Sequence, residues 1–142
     1  MTKPAVPRLS RIHHLALTVT DIEKSIAWYA HIFGFKRIAD YPHKGGYGVI
    51  LVQPEANLWL ILHHHGTNRA EPFDETHTGL DHVGFQVPDR TELESWQTRF
   101  AELEVQHSPI SYVSEFDVSV LVFRDPDNIQ LELFAEHQSA SS

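Results

Sequence analysis

The sequence predicts an α+β protein built as one module written twice, βαβββ followed by βαβββ. Two observations carry that prediction. Residues 12–21, Ile-His-His-Leu-Ala-Leu-Thr-Val-Thr-Asp, return 68 positions later as Leu80-Asp-His-Val-Gly-Phe-Gln-Val-Pro-Asp89. In this register His14 falls on His82, Val19 on Val87, Asp21 on Asp89 and Trp28 on Trp96. Each copy then passes from strand to turn to amphipathic helix, as its apolar spacing changes from two to about 3.6 residues. A duplicated module sets equivalent side chains facing each other across a pseudo-twofold axis, so its two histidines are candidate ligands for one metal.

The elements follow in order. In His13–Val19, Leu15, Leu17 and Val19 share one face and His14, Ala16 and Thr18 the other. Thr20, with Glu23 three residues on, forms a capping box for a helix whose stripe is Ile22, Ile26, Tyr29, Ala30 and Phe33. Gly34 suits its C-terminus. Phe35–Ala39, Gly46–Val52 and Leu58–His63 read as strands, separated by His43-Lys-Gly-Gly46 and Gln53-Pro-Glu-Ala-Asn57. The second copy has a strand over Leu80–Val87 and a helix from Thr91, capped with Glu94, to about Glu104. Its remaining strands are expected near Val105–His107, Val118–Phe123 and Ile129–Phe134, with a tight turn at Arg124-Asp-Pro-Asp-Asn128. The chain therefore divides into a tail (1–9), module one (10–66), a polar linker (67–79), module two (80–137) and a second tail (138–142). At 142 residues the two modules suit one domain with a common core.

Composition narrows the function. A net charge of −8 without a Lys/Arg run argues against nucleic acid or an anionic membrane surface as partner. No apolar stretch approaches the roughly 20 residues of a membrane span, and the N-terminus lacks an apolar signal core, which points to a cytoplasmic protein. There are no cysteines, so disulfides, thiolate metal sites and a cysteine nucleophile are excluded. Any metal must be held by the 11 histidines and 19 carboxylates.

The module ends supply a third ligand. Asn57-Leu-Trp-Leu-Ile-Leu-His63 aligns with Asn128-Ile-Gln-Leu-Glu-Leu-Phe134, so Leu58, Leu60 and Leu62 match Ile129, Leu131 and Leu133 beneath the helices. The opposite face carries Trp59, Ile61 and His63 in one copy and Gln130, Glu132 and Phe134 in the other. A strand carboxylate on the face shared with His14 and His82 is costly unless paired or metal-bound. His14, His82 and Glu132 make a 2-His-1-carboxylate set, which leaves coordination positions open. Iron(II) or manganese(II) lead as occupants, and zinc(II), nickel(II) and cobalt(II) also suit such ligands.

Ile12–Asp21 with its helix, the repeat at Leu80–Asp89, and Asp125-Pro-Asp-Asn-Ile-Gln-Leu-Glu132 resemble the vicinal oxygen chelate superfamily over about residues 10–137. The superfamily includes glyoxalase I, bleomycin-resistance proteins, fosfomycin-resistance thiol transferases and extradiol dioxygenases. The resemblance implies a cup-shaped mixed β-sheet with helices outside, one divalent metal per site, a small-molecule substrate and a homodimer. It carries the metal-ligand roles onto His14, His82 and Glu132. Glyoxalase I-like members place a second glutamate where this chain has Ile61, or Leu60 if the register shifts by one, which leaves a three-ligand pattern like that of extradiol dioxygenases and fosfomycin-resistance enzymes. The expected function is metal-dependent chemistry on an oxygen-chelating substrate, with extradiol-dioxygenase-like ring opening foremost. The alternatives are a bleomycin-resistance-type binding protein, a fosfomycin-type thiol transferase and a glyoxalase I-like lyase. In the run His63-His64-His65, alternation puts His63 and His65 on one face; His63 is the candidate general acid/base or auxiliary ligand, and Trp59, His63, Phe123 and Gln130 are the candidate substrate contacts.

Overall fold

A computed structural model describes residues 2–137; the tail expected over 138–142 lies outside the described residues. Module one runs β1 (Leu15–Thr18), α1 (Ile22–Phe33), β2 (Lys36–His43), β3 (Gly46–Gln53) and β4 (Leu58–His65). Module two runs β5 (Val83–Gln86), α2 (Arg90–Glu102), β6 (Ser111–Val113), β7 (Val118–Arg124) and β8 (Gln130–Glu136). Each module is a four-stranded mixed sheet, in the order β1-β4-β3-β2 or β5-β8-β7-β6, whose first strand lies parallel to its last. The expected βαβββ pair is therefore present.

The helix starts need correction. The N-caps are Asp21 and Asp89, which accept hydrogen bonds from the backbone N–H groups of Lys24 and Glu92. A short carboxylate caps well and also suits the positive end of the helix. Thr20 is drawn elsewhere, toward Asp127, and Glu94 pairs with Arg90. On α1 the buried stripe is Ile22, Ser25, Ile26, Tyr29 and Ile32, and Ala30 is exposed.

Two strands also differ. β2 extends four residues beyond the expected Ala39, through Pro42, which is tolerated because β2 is an edge strand. In place of a strand at Val105–His107, Glu104 takes a left-handed φ of 56° and the Val105 N–H bonds the Phe100 carbonyl at 2.9 Å. That bond closes α2 as a Schellman-type motif and withdraws Val105 from any ladder. Only His107 bridges to Phe123, and the edge strand forms later, at Ser111–Val113.

The two modules share one core. Leu17, Leu60 and Leu62 of the first sheet and Leu121, Leu131 and Leu133 of the second belong to a single buried cluster with Tyr29, Leu93 and Phe100 from the helices. Phe33 of α1 meets Phe85, Trp96 and Phe123 of module two at ring-centroid separations of 5.3–5.8 Å. Each helix packs on the apolar face of its own sheet, as expected, and leaves the opposite face of that sheet the more exposed.

A polar anchor sets the angle at which the modules meet. Asp125 and Asp127, in the β7–β8 turn, reach across to the start of module one. The Asp127 carboxylate accepts from the Thr20 hydroxyl and, at 3.5 Å, from Ser25 Oγ. Asp125 Oδ2 accepts from the Tyr29 hydroxyl at 2.8 Å, while its Oδ1 accepts from the backbone N–H groups of Asp127 and Ile129. Burial pushes the Asp125 carboxyl up, against the pull of these three bonds, and pushes the Tyr29 phenol well above its usual range. Tyr29→Phe leaves a buried carboxylate oxygen without a donor. It should lower stability by about 1–3 kcal/mol, read as a lower urea midpoint at unchanged m-value.

Candidate metal centre

The strand registers show where the repeat holds and where it breaks. In module one Ala16 lies opposite Ile61; in module two Gly84 lies opposite Glu132. The Val19 N–H bonds the His63 carbonyl at 3.0 Å, and its counterpart, the Val87 N–H, bonds the Phe134 carbonyl at 2.9 Å. Ile61 is therefore the positional equivalent of Glu132. The residues opposite have a matching role. A Cβ at Gly84 would lie 3.3 Å from Glu132 Oε1, so the missing side chain leaves room for the carboxylate.

His82 and Glu132 come together. His82 Nε2 lies 3.4 Å from Glu132 Oε1, while His82 Nδ1 donates to Asp81 Oδ1 at 2.7 Å. Such an arrangement suits a metal-binding histidine, because the Asp81 carboxylate holds one ring nitrogen and turns the other toward the Glu132 carboxylate. The donor set, one imidazole and one partly shielded carboxylate, fits a divalent cation of the manganese or iron type.

His14 does not join them within the chain. It is exposed, just before β1, with its Nδ1 2.9 Å from His13 Nδ1. The nitrogens and oxygens of His14, His82 and Glu132 do not gather within 4.8 Å of one another. His14 immediately precedes β1 of the first sheet, near enough to His63 for the two rings to repel each other, whereas Glu132 lies on β8 of the second sheet.

The other expected site residues divide by strand parity. Gln130 shares the outward face with Glu132, and its Oε1 accepts from Arg124 Nη2 at 3.1 Å. Trp59 shares the outward face with Ile61 and His63, half-buried, with its indole 5.7 Å from the His13 ring. Phe123 is a correction: it pairs with Leu131, faces the core, is 2% exposed and packs on Phe100 at 4.6 Å. Its neighbour Val122, opposite Glu132, occupies the outward position instead.

His63 and His65 lie in a cluster whose other members, Tyr41 and His43, sequence reading missed. Tyr41 Oη is 3.1 Å from His63 Nε2, and His43 Nε2 is 3.1 Å from His63 Nδ1. The His65 ring stacks on His63 at 5.8 Å and lies 4.8 Å from His43. The signal was the pattern Tyr41-Pro-His43 set against Gly46-Tyr-Gly48. It becomes visible only once β2 runs as far as His43, because Gly46 and Gly48 then lie between the two flanking rows of rings.

A sequence model of the Glyoxalase/Bleomycin resistance protein/Dioxygenase superfamily matches residues 11–133. The chain belongs to this superfamily. It is 26% identical over 134 residues to the "Putative ring-cleaving dioxygenase MhqA" of Bacillus subtilis (strain 168), covering 92% of this chain but only 42% of that protein. It is also 26% identical to the metallothiol transferase FosB of Lysinibacillus sphaericus (strain C3-41), covering 85% and 79% of the two chains. Among solved structures, a glyoxylase/bleomycin resistance protein/dioxygenase domain from Frankia sp. EAN1pec superposes with a TM-score of 0.84 at 31% identity, over 93% and 96% of the two chains. The fold is also that of the fosfomycin resistance protein FosX from Listeria monocytogenes complexed with Mn(II) and sulfate. There the TM-score is 0.66 at 22% identity, over 92% and 95% of the chains. The superfamily relation supports a divalent metal and a small-molecule ligand, and among the described residues no helix is long and apolar enough to cross a membrane.

Within this superfamily fold the two outward faces differ electrostatically. His82 is pushed above its ordinary 6.5, first by the hydrogen bond to Asp81 and then by the charge of Glu132. His63 is held below 6.5 by burial and by repulsion from His43, His65 and His14. The stabilisation from His82 is present in full below pH 6.5 and is lost as pH rises through its raised value; that from His63 is present above 6.5 and is lost as pH falls through its lowered value. NMR titration of the metal-free protein should give a His82 midpoint above that of His63. Glu132→Gln should bring the His82 midpoint down.

Proposed function

We propose that the protein is a divalent-metal-dependent enzyme acting on a small substrate with vicinal oxygens, and that its metal is held by His14, His82 and Glu132. The observation that carries this reading is the half-site on module two: His82 Nε2 stands beside Glu132 while Asp81 holds the opposite ring nitrogen. The third ligand comes from a second copy of the chain. His14 does not gather with His82 and Glu132 within one chain, so in a homodimer His14 of one protomer would meet His82 and Glu132 of its partner. Each dimer then carries two equivalent sites, as a twofold arrangement requires.

Held by His14, His82 and Glu132, iron(II) would supply the O₂ chemistry of extradiol ring opening. The chain's own residues do the rest. Ile61, standing where a fourth ligand would be, closes no coordination position and presents an apolar wall beside Ala16. Trp59 offers a flat surface to an aromatic ring, and Gln130, held by Arg124, offers a hydrogen bond at the rim. His63, kept neutral near pH 7, accepts a substrate proton by way of Tyr41, whose hydroxyl contacts Nε2. The similarity to MhqA supports ring cleavage as the reaction, although this chain spans less than half of that relative.

Iron-loaded protein, mixed anaerobically with catechol and then exposed to O₂, should develop the absorbance of a ring-opened product. Replacing His82 or Glu132 should lower the rate about 100-fold or more, since even a lost outer-shell partner costs 10–100-fold. Iron bound at one equivalent per chain without product formation would contradict the ring-cleavage assignment. Failure to bind iron(II), manganese(II), zinc(II) or nickel(II) would contradict the metalloenzyme reading as a whole.

A further inference from the structure

We infer that His43, His63 and His65 form a second metal site, for a borderline transition-metal ion such as zinc(II), separate from the site at Glu132. Among the described residues this is the group of three whose ligand atoms all lie within 4.8 Å of one another. The His43 Nε2 to His63 Nδ1 distance is 3.1 Å. Two nitrogens on one tetrahedral zinc stand roughly 3.3 Å apart at Zn–N bonds of 2.0–2.1 Å, so closing the pair on an ion requires little movement.

Two of the three rings already have their outer nitrogens held. His43 Nδ1 donates to the Lys44 carbonyl at 3.2 Å, which leaves the Nε2 lone pair facing His63. His63 Nε2 meets the Tyr41 hydroxyl at 3.1 Å, which leaves Nδ1 facing His43. Outer-nitrogen contacts of this kind are what orient metal-binding histidines.

The backbone keeps the space between the rings clear. On β3, Gly46 lies between His43 and His65, and Gly48 lies between Tyr41 and His63. A Cβ at Gly46 would fall 3.0 Å from His43 Cε1, besides striking the His64 carbonyl oxygen, and one at Gly48 would fall 2.7 Å from the Tyr41 ring. The cluster opens onto a concavity of about 290 Å³ that also touches Ala16 and Thr18, so a fourth position is accessible to water or a small ligand.

Three imidazoles without a carboxylate favour zinc, copper or nickel over manganese or magnesium, which distinguishes this site from the one at Glu132. It is complete within one chain and needs no second copy. An ion there occupies His63 Nδ1 while Tyr41 occupies Nε2, so metal loading and proton transfer by His63 exclude each other.

Calorimetric titration of metal-stripped full-length protein with zinc(II) and with manganese(II) tests the site in a His82→Ala/Glu132→Gln background, from which the first site has been removed. That chain should still bind about one zinc and no manganese. Adding His43→Ala or His65→Ala should abolish the zinc isotherm with the circular dichroism spectrum unchanged, and adding Tyr41→Phe should weaken binding 10–100-fold. No zinc binding by the background chain would overturn the proposal. So would undiminished binding after both His43 and His65 are replaced.

Discussion

The hydrogen bonds from Thr20, Ser25 and Tyr29 to the carboxylates of Asp127 and Asp125 join the first helix of one module to the last turn of the other. Two carboxylates are kept largely from water at this junction, and their cost is offset by the donors that meet them. The turn is itself fixed: Asp125 Oδ1 accepts two backbone N–H groups, and Asn128 takes the left-handed φ of 68° that lets β8 begin at Gln130. The linker is tied down here as well, through the Phe73 N–H to the Asp127 carbonyl and Asn128 Nδ2 to the Phe73 carbonyl.

Once the modules are held in this way, the position of every chemical group follows from strand parity. Leucines and valines on one face of each sheet enter the shared core, and the alternate residues face outward. Glu132 and Ile61 occupy equivalent positions on their two sheets, yet one is a carboxylate beside His82 and the other an apolar side chain beside Ala16. The two outward faces are therefore unlike, one with a carboxylate beside a histidine and one without a carboxylate, and the proposed dimer would bring the unlike faces of two copies together.

The fold was legible because its signals are local. Alternation located the strands, the β7–β8 turn has unmistakable residues, and the repeat joined equivalent positions 68 residues apart. The same repeat aligned Asp21 with Asp89, the true helix caps, but the capping-box pattern drew attention to Thr20 and Thr91. Val105–His107 looked like a strand because nothing in the residue types announces that Glu104 turns left-handed and closes the helix. Phe123 was assigned to the wrong face, since a strand apolar on both sides has no alternation to read. The His43–His63–His65 cluster depends on pairings across three strands and on two glycines, information that appears only when the register is known.

In the proposed dimer one metal site is built from His14 of one protomer with His82 and Glu132 of its partner. Mixing His14→Ala protein with Glu132→Gln protein, under conditions that exchange subunits, tests it most directly. In the mixed dimer one site carries both substitutions and the other carries neither. Random exchange in a twofold dimer should therefore restore about a quarter of the wild-type manganese-binding sites, although neither variant binds the ion alone. No recovery after demonstrated subunit exchange would contradict the account.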